Sequence, residues 1–212
     1  MFQLTDTPSI ANRFLTELRD LEIQKDSLRF RKNLERLGEI LAYEISKTLQ
    51  FSEKTIQTPL SPILTRIPDE KPVIFAVLRA SLPFYQGFLN FFDNAESGFI
   101  GAFREEGHEI KINLGYHASP SLEGKTVILA DPMLATGKSF LKSIETLLQH
   151  GRPKIIHIAA VIAAPEGIQF LKENLTLPYS LWIGAIDEKL NSKSYIVPGL
   201  GDAGDLAFGP KL

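Results

Sequence analysis

The residues best suited to do chemistry crowd into one segment, Val127-Ile-Leu-Ala-Asp-Pro-Met-Leu-Ala-Thr-Gly-Lys-Ser139. An apolar run reads as a buried strand and halts at an acid, Asp131. A small-residue loop follows, and Gly137 opens an amphipathic stretch. There Phe140, Leu141, Ile144, Leu147 and Leu148 recur at helical spacing, and Gly151 sits where a helix should stop. Strand, tight loop and helix N-terminus together make an anion site. The backbone N–H groups of Thr136, Gly137, Lys138 and Ser139 converge there, and the helix dipole adds to their pull. The hydroxyls of Thr136 and Ser139 can donate to phosphate oxygens, and Asp131 can accept from sugar hydroxyls. The chemistry is that of a phosphate cradle beside a ribose acceptor.

Gly137-Lys138-Ser139 also looks like the end of a triphosphatase phosphate loop. That motif needs a glycine five residues before the Gly-Lys pair. Pro132 stands there, so the triphosphatase reading fails. An ordinary strand-to-helix connection remains the bland reading, but Asp, Thr, Gly and Ser crowded into one loop favour the site.

A second cluster closes the chain: Tyr195-Ile-Val-Pro-Gly-Leu-Gly-Asp-Ala-Gly-Asp205. Gly199, Gly201 and Gly204 let the backbone approach a ligand and adopt positive φ. Amides exposed this way can read the edge of a flat polar heterocycle. Asp202 and Asp205 are candidate metal or diphosphate groups. The plain alternative is a solvated turn, for which glycine and aspartate are the usual residues.

The elements that must position these clusters can be read from the punctuation. Residues 9–50 show helical periodicity, with Ile40, Leu41, Ile45 and Leu49 in one stripe, and form an N-terminal helical arm. Turns are expected around Pro59, Pro62 and Pro68. From Pro72, β-rich runs alternate with helical stretches: 73–77, 99–103, 126–130, 155–163 and 179–185. Continuous apolar strands separated by helices imply an α/β fold with a parallel sheet covered on both faces. Ligands bind such sheets at the carboxyl ends of the strands, where Arg79, Arg104, Asp131 and Pro165 fall. A single domain is expected over 1–212, with the arm at 1–50, the α/β core at 72–190 and a C-terminal flap at 191–212.

Composition removes other classes. With 23 Lys+Arg against 25 Asp+Glu, the net charge of −2 argues against a nucleic-acid surface. No cysteine is present, which excludes disulfides and fits a reducing cytoplasm. No apolar run approaches the roughly 18 residues of a membrane helix, and no secretion signal opens the chain. His108, His117, His150 and His157 lack metal-ligand spacing and read as surface or strand residues. Phe84, Tyr85, Phe88, Phe91 and Phe92 share a helical spacing and read as core or subunit interface. Asn174-Leu-Thr176 matches a glycosylation pattern by chance.

Asp131-Pro-Met-Leu-Ala-Thr-Gly137 and Pro198-Gly-Leu-Gly-Asp-Ala-Gly-Asp205 resemble the two signature stretches of the uracil phosphoribosyltransferases. The resemblance extends through Phe30-Arg31, Leu41-Ala-Tyr-Glu44, Val77-Leu-Arg-Ala-Ser-Leu82, Ala163-Ala-Pro-Glu-Gly167 and Ala185-Ile-Asp-Glu188, in the family's order and spacing. It implies a phosphoribosyltransferase-type fold and transfer of the phosphoribosyl group from phosphoribosyl diphosphate to uracil, giving UMP and diphosphate. It assigns phosphoribosyl diphosphate to Arg79, Ala80, Ser81, Arg104, Asp131, Pro132, Met133, Leu134, Ala135, Thr136, Gly137, Lys138, Ser139 and Asp202. Among these, Arg79, Arg104, Asp131 and Asp202 would carry catalysis. Uracil falls to Tyr195, Ile196, Gly201, Asp202 and Ala203. Mg²⁺ would be held mainly by the substrate, with Asp202 nearby. A homodimer or homotetramer is expected, and the stretch 104–121, which mixes glycine and charges, reads as a β-hairpin lid that keeps water from the ribosyl cation, with a plain exposed excursion as the alternative.

Three positions depart from the family pattern. Ser81 and Ser194 stand where glycine is usual, and Lys138 replaces a second glycine of the phosphate loop. A β-carbon at Ser81 is expected to obstruct the turn that faces diphosphate. Other readings on the same scaffold are a transferase for another base, a catalytically silent sensor of phosphoribosyl diphosphate and uracil, and an RNA-binding regulator, against which the charge balance argues.

Overall fold

The structure, a computed structural model, describes the backbone of residues 1–104, 110–113 and 119–210, with side chains for all of these except 102–104 and 110–113. A sheet runs through the centre. In chain order its strands are β1 (Phe2–Gln3), β4 (Val73–Leu78), β5 (Glu96–Arg104), β6 (Ile110–Asn113), β7 (Thr126–Ala130), β8 (Met133–Leu134), β9 (Ile155–Ala163) and β10 (Tyr179–Ile186). Their spatial order is β1-β10-β9-β7-β4-β5-β6, with the short β8 also paired to β9. Every pairing is parallel except β5 with β6. The expected strands are therefore found, each within a few residues of its expected limits.

Side-chain alternation along these strands builds two cores. Val73, Phe75 and Val77, with Val127, Leu129, Ile156 and Ile158, point to one face. There they meet Phe140, Ile144 and Leu147 of α4 (Lys138–Leu147) and Leu171 of α5 (Pro165–Asn174). Ile74, Ala76, Ile128, Ala159, Val161 and Trp182 point to the other. This face is covered by α1 (Ile10–Arg19), α2 (Ser27–Ser46) and α3 (Leu82–Leu89). The N-terminal helices form a layer of the core, in which Leu34, Leu37, Leu41 and Ile45 are fully buried. Phe84, Tyr85 and Phe88 are core residues too, whereas Phe91 is half exposed.

Two helices of this layer touch backbone to backbone. A β-carbon on Gly38 of α2 would land on the Phe84 carbonyl oxygen, and one on Gly87 of α3 would land on the Glu35 carbonyl oxygen. Glycine is required at this crossing because nothing larger fits between the axes.

The proline-rich stretch differs from expectation. Instead of three turns, residues 51–68 form an antiparallel hairpin, β2 (Phe51–Gln57) with β3 (Pro62–Pro68), turned at 58–61. Pro62 and Pro68 occupy the first and last positions of β3, where an absent N–H is tolerated. The hairpin lies off the main sheet and exposes apolar side chains, among them Leu60 at 95 %, Leu64 at 61 % and Ile63 at 52 %. The expected lid begins with the β5–β6 pair. Residues 105–109 and 114–118, and the Arg104 side chain with them, lie outside the described residues. Among the described residues, no helix is long and apolar enough to cross a membrane.

One ionic cluster fastens α1 to α2. Glu17 accepts from Asn33 Nδ2 (2.8 Å), Arg13 Nε (3.1 Å) and Arg29 Nη1 (3.1 Å). The Asn33 amide first, then the two guanidiniums, lower its pKa from 4.5 to about 2. His157 of β9 is buried, and its Nδ1 accepts from Trp182 Nε1 at 2.9 Å. Burial lowers its pKa to about 4, against an opposing pull from Glu70.

Two outcomes follow from this packing. Gly87→Ala should destabilise by on the order of 2 kcal/mol, lowering Tm by roughly 4–8 °C; a thermal melt within a degree of wild type would contradict the backbone contact. The folded-state pKa of Glu17 lies below its unfolded one, so its contribution is complete above pH 4.5 and is lost as pH falls toward 2. The stability gap between wild type and Glu17→Gln should therefore close across that interval in acid-titrated melts, and a gap independent of pH would count against it.

Candidate active site

Because β4 and β7 are parallel neighbours, with Ala76 opposite Ala130, Arg79 and Asp131 leave the sheet side by side at its carboxyl edge. Asp131 is still held to the sheet, its N–H donating to the Ala159 carbonyl (3.1 Å). The Pro132 carbonyl accepts from the N–H groups of Val161 and Ile162, and β8 then rides on the end of β9. Asp131 Oδ1 accepts from the Met133 N–H (3.1 Å), which fixes the carboxylate at the loop entrance. The chain therefore turns on a rigid support.

Gly137 completes the turn with φ of +77° and begins α4. A β-carbon there would approach the Gly167 carbonyl oxygen and Phe170 Cδ1, each at 2.9 Å. No side chain caps α4. The nearest substitute is Thr136 Oγ1, 3.4 Å from the Lys138 N–H, a weak interaction at best. The first-turn amides thus keep their capacity for an anion, aligned with the positive end of the helix. Lys138 is exposed at the first helical position, while Thr136 and Ser139 are half-buried beside it.

The C-terminal cluster is built on Asp187, the residue after β10, whose N–H donates to the Ala163 carbonyl (2.8 Å). A short antiparallel pair, β11 (Lys189–Leu190) and β12 (Ile196–Val197), leads into the glycine stretch. Leu190 N–H donates to Glu166 Oε1 (2.9 Å), so this pair is seated on α5 beside the phosphate loop. Ser194, at φ +62°, is the one non-glycine residue with positive φ among the described residues, which accounts for glycine being usual there. Ile196 is buried, Tyr195 is 44 % exposed, and Val197–Pro198 is cis. Gly199 and Gly201 take φ of +68° and +91°. Asp202 is exposed and caps α6 (Ala203–Phe208), its Oδ1 accepting from Gly204 N–H (2.9 Å) and Asp205 N–H (3.0 Å).

Arg79 fastens the turn after β4 to the C-terminal cluster. Its Nη2 donates to Asp205 Oδ1 (3.1 Å) and to the Gly209 carbonyl (2.5 Å). Its Nε is buried without a partner, and a β-carbon on Gly204 would stand 3.8 Å from it. The phosphate loop, the Arg79 turn and the glycine flap therefore share one edge of one sheet. Asp205, rather than Asp202, is the acid that meets Arg79. Residues Arg79 to Ser81, Asp131 to Ser139 and Tyr195 to Ala203 all border this edge. For Arg104, only the backbone at the end of β5 is described.

Ser81 corrects an expectation. Its φ and ψ are −79° and −12°, ordinary right-handed values, and its fully buried hydroxyl donates to the Val77 carbonyl (2.5 Å). The turn accepts a β-carbon, so serine does not obstruct it.

Two positioning residues, Arg19 and Gln24, had no signal in the sequence, and the resemblance at Phe30-Arg31 gave no role to a third, Arg31. Arg19 at the end of α1 pairs with Asp187, Arg31 of α2 donates to the Ala207 carbonyl (2.7 Å), and Gln24 reaches the flap as well. With the Gln24 amide oriented to satisfy both its atoms, its nitrogen donates to the Leu200 carbonyl (2.9 Å). All three join residues more than a hundred positions apart, which no local pattern reveals.

Comparison with known proteins agrees with this geometry. The family model described as uracil phosphoribosyltransferase matches residues 4–210. The uracil phosphoribosyltransferase of Porphyromonas gingivalis is 47 % identical over 206 residues, 96 % of this chain and 95 % of that protein. The uracil phosphoribosyltransferase of Pyrococcus furiosus is 40 % identical over 212 residues, covering 99 % and 90 %. Among solved structures, the AQ2163 protein of Aquifex aeolicus superposes with a TM-score of 0.85 at 34 % identity over 96 % of each chain. With a phosphate cradle, an arginine turn and a glycine flap on one sheet edge and a family match over nearly its whole length, the chain belongs to the uracil phosphoribosyltransferase family.

Proposed function

We propose that this edge is where the chain transfers the 5-phosphoribosyl group of phosphoribosyl diphosphate to uracil, releasing UMP and diphosphate. One observation carries the assignment of residues: the loop into the uncapped α4 and the Arg79 turn leave the carboxyl ends of neighbouring parallel strands, and Arg79 is bonded to Asp205 and Gly209 at the end of the flap. The amides of Thr136 to Ser139 bind the 5′-phosphate, and Asp131 accepts from the ribose hydroxyls. This grip sets the anomeric carbon between the Arg79 turn and the flap.

In the reaction the bond from the anomeric carbon to the diphosphate oxygen breaks, and a bond to a uracil ring nitrogen forms. Positive charge builds on the ribosyl group while negative charge builds on the leaving diphosphate. Arg79, and Arg104 from β5, stabilise that negative charge, and alignment supplies much of the remaining rate. No nucleophilic side chain is needed. The nitrogen's proton leaves late or to solvent. Main-chain groups of Ile196 and of Gly201 to Ala203 read the uracil edge, with Tyr195 at the rim. Ala80, Ser81 and Pro132 to Ala135 shape the backbone around the diphosphate and the sugar.

Among the described residues, no three carboxylate or imidazole side chains converge to cage a metal. Asp202 offers at most its second oxygen, since Oδ1 caps α6. This donor set fits magnesium held by substrate oxygens with one carboxylate beside it. Bound there, the ion would neutralise diphosphate charge. The chain acts in the cytoplasm, a reading that the absence of cysteine fits, and as a homodimer or homotetramer, for which the apolar side chains exposed on the β2–β3 hairpin speak.

Incubating the protein with phosphoribosyl diphosphate, Mg²⁺ and each free base should yield UMP from uracil and little product from the others. Product chiefly from another base would favour a sister transferase, and binding without product would favour a sensor. Chelation should abolish turnover while leaving the Tm of the substrate-free protein unchanged; a large fall in Tm would mean a protein-held metal instead. Asp202→Ala should lose about 1 kcal/mol of stability through the missing cap, yet more than tenfold in turnover. Equal activity in a folded variant would remove Asp202 from the site.

A further inference from the structure

Asp187 and Gly199 are joined to the N-terminal layer by one guanidinium. Arg19 is the last residue of α1, and its Nη1 and Nη2 donate to Asp187 Oδ2 (2.8 Å) and Oδ1 (2.5 Å) in a fork. The same Nη1 donates to the Gly199 carbonyl (3.0 Å), and Asp187 Oδ2 accepts from the Gly199 N–H (2.8 Å). Both polar backbone groups of Gly199 are therefore held by this one ion pair. The Asp187 side chain is only 4 % exposed, and that of Arg19 is 23 % exposed.

Both anchors are themselves fixed. Asp187 is pinned to the end of β9 through its N–H, and α1 is seated in the core by Ala11, Leu15 and Leu18. The pair lacks the looseness of an exposed ion pair because it is shielded, bidentate and charge-assisted. Gly199 in turn admits no adjustment. It sits at φ +68°, and a β-carbon there would land on the Ile196 carbonyl oxygen. Two residues further, Gly201 begins the main-chain stretch that faces the base.

We propose that Arg19 is a positioning residue for uracil: with Asp187 it sets the height of the glycine flap, and so governs base affinity without touching the base. The inference rests on the reading that this flap binds uracil. Main-chain recognition has no side chain to readjust, so a small displacement of Gly199 passes directly to the amides that read the base. Most of the phosphoribosyl diphosphate site comes from α4, β7 and the turn after β4, which Arg19 does not contact, and Asp202 is the flap residue that both substrates share. The Arg29–Glu17 pair supplies a contrast, because it fastens α1 to α2 rather than to the flap.

The test is steady-state kinetics on the full chain with uracil and phosphoribosyl diphosphate varied in turn. Arg19→Gln should raise the KM for uracil about tenfold and leave the KM for phosphoribosyl diphosphate within about twofold. Arg19→Lys keeps the charge and the fold but not the fork, and should fall between that variant and wild type. Arg29→Gln should lower Tm without moving the uracil KM. Gly201→Ala probes the flap itself and should raise the uracil KM. If Gly201→Ala does so while both Arg19 variants do not, or if they raise both KM values alike, Arg19 is merely structural. If neither Gly201→Ala nor the Arg19 variants move the uracil KM, the flap does not bind the base, and this inference falls with that reading.

Discussion

The structure depends on where strand β7 stops. Its five residues are all buried, and the chain must then leave a parallel sheet covered on both faces. It does so through Asp131, whose backbone is still bonded to β9, and through Gly137, the only residue of the loop with a left-handed backbone. That geometry leaves a helix N-terminus uncapped and pointed at the sheet edge. An uncapped helix end costs stability unless something negative completes it. A sugar phosphate is the group that fits both the amides and the neighbouring acid.

The parallel order does the rest. Since β4, β7, β9 and β10 run the same way, every loop that leaves their carboxyl ends meets at one edge. Arg79 comes from β4, Asp131 from β7, the start of α5 from β9 and Asp187 from β10. The glycine flap then folds back over this edge and is held from the opposite end of the chain. Arg19, Gln24 and Arg31 all donate to groups between Asp187 and Ala207. The helical layer thus serves both as the cover of one core and as the support for the flap.

Much of this was legible in the residues. The runs 126–130 and 155–163 are apolar but for Thr126 and His157, so their strands and limits were readable directly. The phosphate loop was readable because a strand end, an acid, a hydroxyl and a glycine fall in one short segment. The β2–β3 hairpin was not legible: both its faces are exposed, so no apolar alternation marks it, and its prolines mimic turns. Ser81 was misread because a glycine-like backbone was assumed, whereas the turn is right-handed and buries a hydroxyl bonded to Val77. Long-range donors such as Arg19 leave no local trace at all, since an arginine ending a helix ordinarily serves only the dipole.

The central claim is that one cleft holds the phosphate at α4 and the base at the flap. A crystal structure of the chain with UMP tests it most directly. The account predicts the 5′-phosphate within hydrogen-bonding distance of the amides of Thr136 to Ser139, and the pyrimidine ring with its edge toward the main chain of Ile196 and of Gly201 to Ala203. Nucleotide bound with its phosphate elsewhere, or with the base turned away from the flap, would contradict it.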